Sequence, residues 1–282
     1  MIGKIFCAHC GDSAGLTICC GAAAEGWFIF SPNKTFLMST MQAQKAFRSM
    51  PASGQARKTV EMLLETYRQT THHSNSARIG KRDTLSEFIT VETLDQMRNE
   101  AMVNGHQGVR GYFGRYPGDH ADSAKAGRQS LVFTIGTLRS SPNRFIVPED
   151  LIAFGPACRM DKDIAGLLLN TYRRTSHKEN STSIGKEDSS NAFLSIDLLA
   201  QIREEAVLEG ASGVYAYFGR YPNDFIEPDL AGRQTILLTV RKIDIFQWRI
   251  VVPEQLVFVG PPCPPACACG NPGQPPCPWT TD

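Results

Sequence analysis

Val60, Leu63, Leu64 and Tyr67 fall at i, i+3, i+4 and i+7, the spacing that lines one face of a helix. The same spacing returns at Ala165, Leu168, Leu169 and Tyr172, an offset of 105 residues from Tyr67 to Tyr172. A polar stretch from Thr71 to Asp83, rich in Ser, Asn, His and Gly, reads as a loop. A short strand at Glu87-Phe88-Ile89 then runs into a second helix, with Leu94, Met97 and Ala101 as its apolar stripe. Leu199, Ile202 and Ala206 repeat that stripe. Thr90 and Ser195 are placed as N-caps, because a hydroxyl there can accept an orphan backbone N–H. Gly105 and Gly210 are the expected stops, since glycine takes the left-handed cap conformation freely.

Gly108 to Tyr116 alternates as a strand, with Val109, Gly111, Phe113 and Arg115 on the expected core side. Pro117 ends it, for proline has no N–H to give the ladder. The loop from Pro117 to Gly127 leads to a strand from Gln129 to Leu138, and the two strands are expected to pair antiparallel. Arg144 to Val147 is a further extended piece, followed by a short turn or helix to Cys158.

The recurrence extends well beyond the helices. Tyr112-Phe113-Gly114-Arg115-Tyr116-Pro117 answers Tyr217-Phe218-Gly219-Arg220-Tyr221-Pro222. Gly127-Arg128-Gln129 answers Gly232-Arg233-Gln234, and Val147-Pro148-Glu149 answers Val252-Pro253-Glu254. Four parts are expected: a Cys-containing N-terminal segment (1–55), a first repeat (56–158), a second (161–263) and a Pro/Cys-rich tail (264–282). The expected fold is α+β, two tandem repeats of helices packed on a small, mostly antiparallel sheet, related by a pseudo-twofold axis. A unit of about 100 residues is long enough to bury its own core.

Composition changes this picture little. With 29 basic and 28 acidic residues the net charge is +1, which argues against a nucleic-acid partner. No apolar run is long enough for a membrane helix, and the N-terminus makes a weak secretory signal, so a cytoplasmic protein is expected. The nine cysteines lie at the edges of the repeats rather than inside them. Cys7-Ala-His-Cys10 presents two of the four ligands that zinc needs, and Cys267 and Cys269 would complete the set if the termini met. Against zinc, the usual second knuckle is missing, and inert or oxidised thiols are the preferred reading.

Two repeated constellations could carry chemistry. His72 and Lys81 recur as His177 and Lys186 in the polar stretch, where histidine could act as acid or base, lysine with Arg68 could hold an anion, and Asp83 could orient them. Arg115, Tyr116, Arg128 and Gln129 recur as Arg220, Tyr221, Arg233 and Gln234 around the hairpin loop. Paired arginines suit a carboxylate or phosphate. The competing reading of both is structural: Asn, Ser and Asp bonding their own backbone, and arginines stapling the loop to acids such as Asp119.

The stretch Gly108-Val109-Arg110-x-Tyr112 to Pro117, then Gly127-Arg128-Gln129, with Cys263-Pro264-Pro265-x-Cys267 near the end, resembles a set of uncharacterised Bacteroidota-type bacterial proteins. The resemblance covers the core of each repeat and implies a bacterial setting, with no activity to carry over. Tyr215 departs from its pattern, where arginine stands in the first copy.

A non-enzymatic module is therefore expected, binding an unknown protein partner or assembling with itself through paired hairpin surfaces. The alternative is an enzyme acting on an anionic small molecule, with the histidines as acid or base and the arginines as clamps.

Overall fold

The apolar stripes form helices and the alternating runs form strands. The computed structural model describes residues 54–136, 138–141, 144–245, 250–251, 258–260 and 262–263. The first segment opens with α1 (Gly54–Tyr67), a π-helical turn (Arg68–His72) and α2 (His73–Ile79). It continues through β1 (Ser86–Thr90), α3 (Val91–Val103), β2 (Gly108–Arg115) and β3 (Gln129–Ile135). Short strands β4 (Arg139–Ser141), β5 (Arg144–Ile146), β6 (Ile152–Phe154) and β7 (Arg159–Met160) complete it.

The second segment brings α4 (Lys162–Tyr172), another π-helical turn (Arg173–His177) and α5 (Lys178–Ile184). Then come β8 (Asn191–Ser195), α6 (Ile196–Leu208), β9 (Gly213–Arg220) and β10 (Gln234–Thr239). Two-residue β11 (Asp244–Ile245) and β12 (Ile250–Val251), then β13 (Phe258–Gly260) and β14 (Pro262–Cys263), end the described chain.

The expected caps are present. Thr90 Oγ1 accepts from Thr93 N–H at 3.2 Å and Ser195 Oγ from Leu198 N–H at 3.1 Å. Gly105 and Gly210 sit just past their helices at φ 70° and 66°. The stretch Thr71 to Asp83 is a correction, because most of it is helical rather than loop. Thr70 and Thr175 turn their hydroxyls back onto the carbonyls of Thr66 and Thr171, at 2.5 and 2.7 Å. Such back-bonding competes with the backbone ladder, and here it accompanies the wider turn before α2 and α5. A second correction falls at Ile152–Phe154, a strand paired with β3 where a turn or helix was expected.

Beside the two-stranded pairs β4-β5 and β11-β12, the described residues form two larger antiparallel sheets, ordered β1-β9-β10-β13 and β14-β8-β2-β3-β6-β7. Each draws on both segments, the first sheet taking β1 and the second taking β8 and β14. β1 pairs with β9, Ser86 opposite Tyr217 and Thr90 opposite Gly213. β8 pairs with β2, Asn191 opposite Tyr112 and Ser195 opposite Gly108. Every one of these partnerships is matched by the other at an offset of 105 residues, as are Phe113 N–H to Ser190 O (3.0 Å) and Phe218 N–H to Leu85 O (3.1 Å).

The helices cross over as well. Val60, Leu63 and Leu64 of α1 pack against Tyr217, Tyr221, Leu237 and Ile243 of the second segment. Ala165, Leu168 and Leu169 of α4 pack against Tyr112, Val132, Leu138 and Phe145 of the first. Between the sheets lies one core drawn from both segments, including Phe113 and Phe218 with ring centres 6.1 Å apart. The core between the sheets also takes in α3 and α6, while α1 and α4 pack on the other faces, which buries both faces of β2 rather than the one face expected from alternation. The expectation that each unit buries its own core is likewise replaced by a shared core, because α1 and α4 each cover strands of the opposite segment and the residues of α3 and α6 join a single cluster.

Where the exchanged strands pair, the backbones come very close. A Cβ on Gly108 would lie 2.3 Å from the Leu194 carbonyl oxygen, and one on Gly213 would lie 2.2 Å from that of Ile89. Only glycine fits there. No helix among the described residues is long and apolar enough to cross a membrane.

Candidate functional site

The repeated polar residues meet inside the molecule, where β2 and β9 end and β3 and β10 begin. Gln129 donates from Nε2 to Gln234 Oε1 at 3.2 Å. Gln234 Nε2 in turn donates to Tyr172 Oη at 2.6 Å and Asp188 Oδ2 at 3.1 Å. Tyr67 Oη lies 3.3 Å from Gln129 Oε1, and the Asn75 amide donates to that oxygen at 3.3 Å. Asp83 and Asp188 each accept the backbone N–H of a glutamine, Gln129 at 2.8 Å and Gln234 at 3.0 Å. Burial holds both tyrosine hydroxyls well above their ordinary pKa, so they stay protonated. Burial also raises the Asp83 carboxyl, against the opposing N–H bonds of Gln129 and Thr84.

The two arginines of the repeated hairpin strands reach across to the opposite segment. Arg115 Nη1 bonds Ser176 Oγ and Asn75 Oδ1, its Nε bonds Gly127 O at 2.7 Å, and Nη2 lies 3.4 Å from Asp83 Oδ2. Arg220 Nη1 donates to Thr71 Oγ1 at 2.6 Å, and its Nη2 to Ser183 Oγ at 3.2 Å. Both guanidiniums are buried. Asp83, not Asp119, is therefore the acid beside Arg115.

His72 and His177 are buried, with Nε2 3.1 and 3.0 Å from the Asp83 and Asp188 carbonyl oxygens. Burial is the main cause that lowers both imidazole pKa values. Lys81 and Lys186 bond carbonyls of the hairpin loops, at Ser123 and at Pro228. Burial followed by the charge of Arg233 lowers the Lys186 pKa. Tyr116 is half-buried beneath Lys125, whose Nζ lies 5.8 Å from its ring centre, while Tyr221 is buried against Phe225. Arg233 Nε bonds the Asp229 carbonyl at 2.6 Å, and half-buried Arg128 keeps an Nε without a hydrogen-bond partner among the described residues.

One concave surface does collect cations. A cleft of about 820 Å³ at the second π-turn is lined by Arg173, Arg174, His177, Lys178 and Lys186, with Glu187 as its one acid among the described residues. Arg173 is 8% exposed, its guanidinium 4.9 Å over the Phe145 ring. Among the described residues its Nε and Nη1 have no hydrogen-bond partner, and Nη2 reaches Glu187 Oε1 at 3.5 Å. Arg173 was not among the expected site residues. Its signal lay where the two copies differ: Glu65, Gln69 and His73 of the first are Asn170, Arg174 and Lys178 of the second.

Among the described residues no group of three or more His, Cys, Asp or Glu is arranged to hold a metal. Cys7, Cys10, Cys267 and Cys269, the expected zinc ligands, lie outside the described residues. Comparison with protein-family models, with curated proteins and with solved structures finds no match to this chain.

Proposed function

We propose that the chain is a non-enzymatic binding or assembly module, built from two copies of one unit related by a pseudo-twofold axis. The matched strand registers of β1 on β9 and β8 on β2 support the duplication and the axis. The observation that carries the non-enzymatic reading is the internal bonding of the repeated polar groups. Arg115, Arg220, Gln129 and Gln234 are buried and bonded to side chains of the opposite segment. A general acid or base must come within hydrogen-bond reach of the proton it moves. The Nε2 of each buried histidine is directed instead at a backbone carbonyl. In this reading the repeated motifs hold the two units together, and recognition falls to the surface around the hairpin loops, where Asp119, Lys125, Asp224 and Ile226 are exposed.

One observation favours the second reading, an enzyme acting on an anionic small molecule: Arg173, His177 and Lys186 line the same cleft. The test follows phosphorylated and carboxylated small molecules by NMR in the presence of the full chain. The module reading expects no product from any of them. Product formation that is lost in His177→Gln would establish the enzyme instead.

A further inference from the structure

We infer that the cleft at the second π-turn binds a small phosphorylated molecule, anchored by Arg173 and assisted by Arg174 and Lys178. This goes beyond a partner-binding module, and it rests on the cleft rather than on the absence of catalysis. Arg173 carries a guanidinium whose bonding is incomplete. A buried donor without an acceptor is costly, and a buried cation without an anion more so. Arg173 has two such donors, Nε and Nη1, in a side chain 7% exposed.

Its counterpart in the first segment shows what completes it. Arg68 stands at the same place in its own π-turn and bonds Glu65 through two nitrogens, at 2.8 and 2.5 Å. The second segment has Asn170 at that position, and the Asn170 amide is committed to the backbone of Phe145 at 2.8 and 3.3 Å. The internal carboxylate has thus been removed while the arginine stays. Glu187 is a weak substitute, half-exposed and 3.5 Å away.

The rest of the cleft favours an anion of more than one charge. Among the described residues four cations, Arg173, Arg174, Lys178 and Lys186, face a single acid, Glu187. Lys186 is partly committed to the hairpin carbonyls, whereas Arg174 and Lys178 are exposed. A phosphate monoester carries about −1.5 to −2 charges near neutral pH and three acceptor oxygens. Both two-point edges of a guanidinium, Nε with Nη2 and Nη1 with Nη2, include Nη2. A bidentate phosphate therefore displaces the Glu187 carboxylate and takes up a donor that is now unpartnered. A volume of about 820 Å³ suits a small molecule.

The test is calorimetric titration of the full chain with sodium pyrophosphate at fixed ionic strength, with sodium succinate as the second arm. Pyrophosphate is expected to bind the parent chain. Roughly tenfold or greater loss of affinity is expected in Arg173→Gln, and in the exposed pair Arg174→Glu with Lys178→Glu, which leaves the buried guanidinium and its stacking in place. Arg68→Gln is expected to change it less than about twofold. No binding by the parent chain overturns the inference, as does binding that the charge-reversed pair retains or that Arg68→Gln weakens equally. Succinate binding as tightly as pyrophosphate overturns the phosphate assignment. Turnover in the NMR experiment would sink the non-enzymatic reading and leave this site untouched.

Discussion

Gln129 and Gln234 stand at the same place in the two copies of the sequence pattern, and the Nε2 of the first donates to the Oε1 of the second at 3.2 Å. Both are fully buried. Around them the network runs from Tyr67 to Tyr172, so residues read from sequence as a surface motif are the contact between the two segments. Gln129→Leu and Gln234→Leu should each destabilise the chain by about 1–3 kcal/mol, since each strands buried partners. The double variant should cost less than the two together, because the same network is broken only once. Urea unfolding of the four proteins measures this.

Arg115→Ala distinguishes a buried tie from a surface clamp. The Arg115 and Asp83 side chains are 3% and 0% exposed, and the substitution leaves Asp83 without its cation. A loss of about 3–5 kcal/mol in unfolding free energy is expected. An exposed ligand-binding arginine would change stability very little, so an unaltered urea midpoint would contradict the placement.

What could be read from sequence was local. Thr90 and Ser195 as caps, Gly105 and Gly210 as stops, and the stripes of α1 and α4 all depend on neighbours within two turns. The partner of β1 was not legible, because its alternation is satisfied equally by β2 or by β9. Nor was the helical nature of Thr71 to Asp83, where threonine hydroxyls occupy carbonyls and no apolar period marks the helix. Arg173 repeats Arg68, an expected anion holder, but its lack of an internal carboxylate arises where the copies disagree, at Glu65 and Asn170.

Gly108→Ala and Gly213→Ala test the strand exchange from the backbone side. Each methyl would fall against a carbonyl of the strand contributed by the other segment. Each should cost about 1–3 kcal/mol, as overpacking does. Thermal melts of the two variants should move down together. A shift confined to one of them would contradict the equivalence of the two crossings.

The histidines set a pH dependence. His72 and His177 have folded pKa values depressed below the ordinary 6.5 by burial. The unfolded chain therefore binds protons that the folded chain refuses, and stability rises with pH through that window. Their contribution is fully present above about 6.5 and is lost as pH falls below it towards the depressed values. Urea midpoints of the parent chain should drop across that interval, and those of His72→Gln with His177→Gln should drop less steeply.

Native-state hydrogen exchange of the full chain in rising urea tests the shared core most directly. The Phe113 amide is held by Ser190 O and the Phe218 amide by Leu85 O, each bond joining one segment to the other. Both amides should lose protection at the same opening free energy, that of global unfolding. If Phe218 exchanged freely while Phe113 stayed protected, the segments would be unfolding independently, and the account of two units bound into one would be wrong.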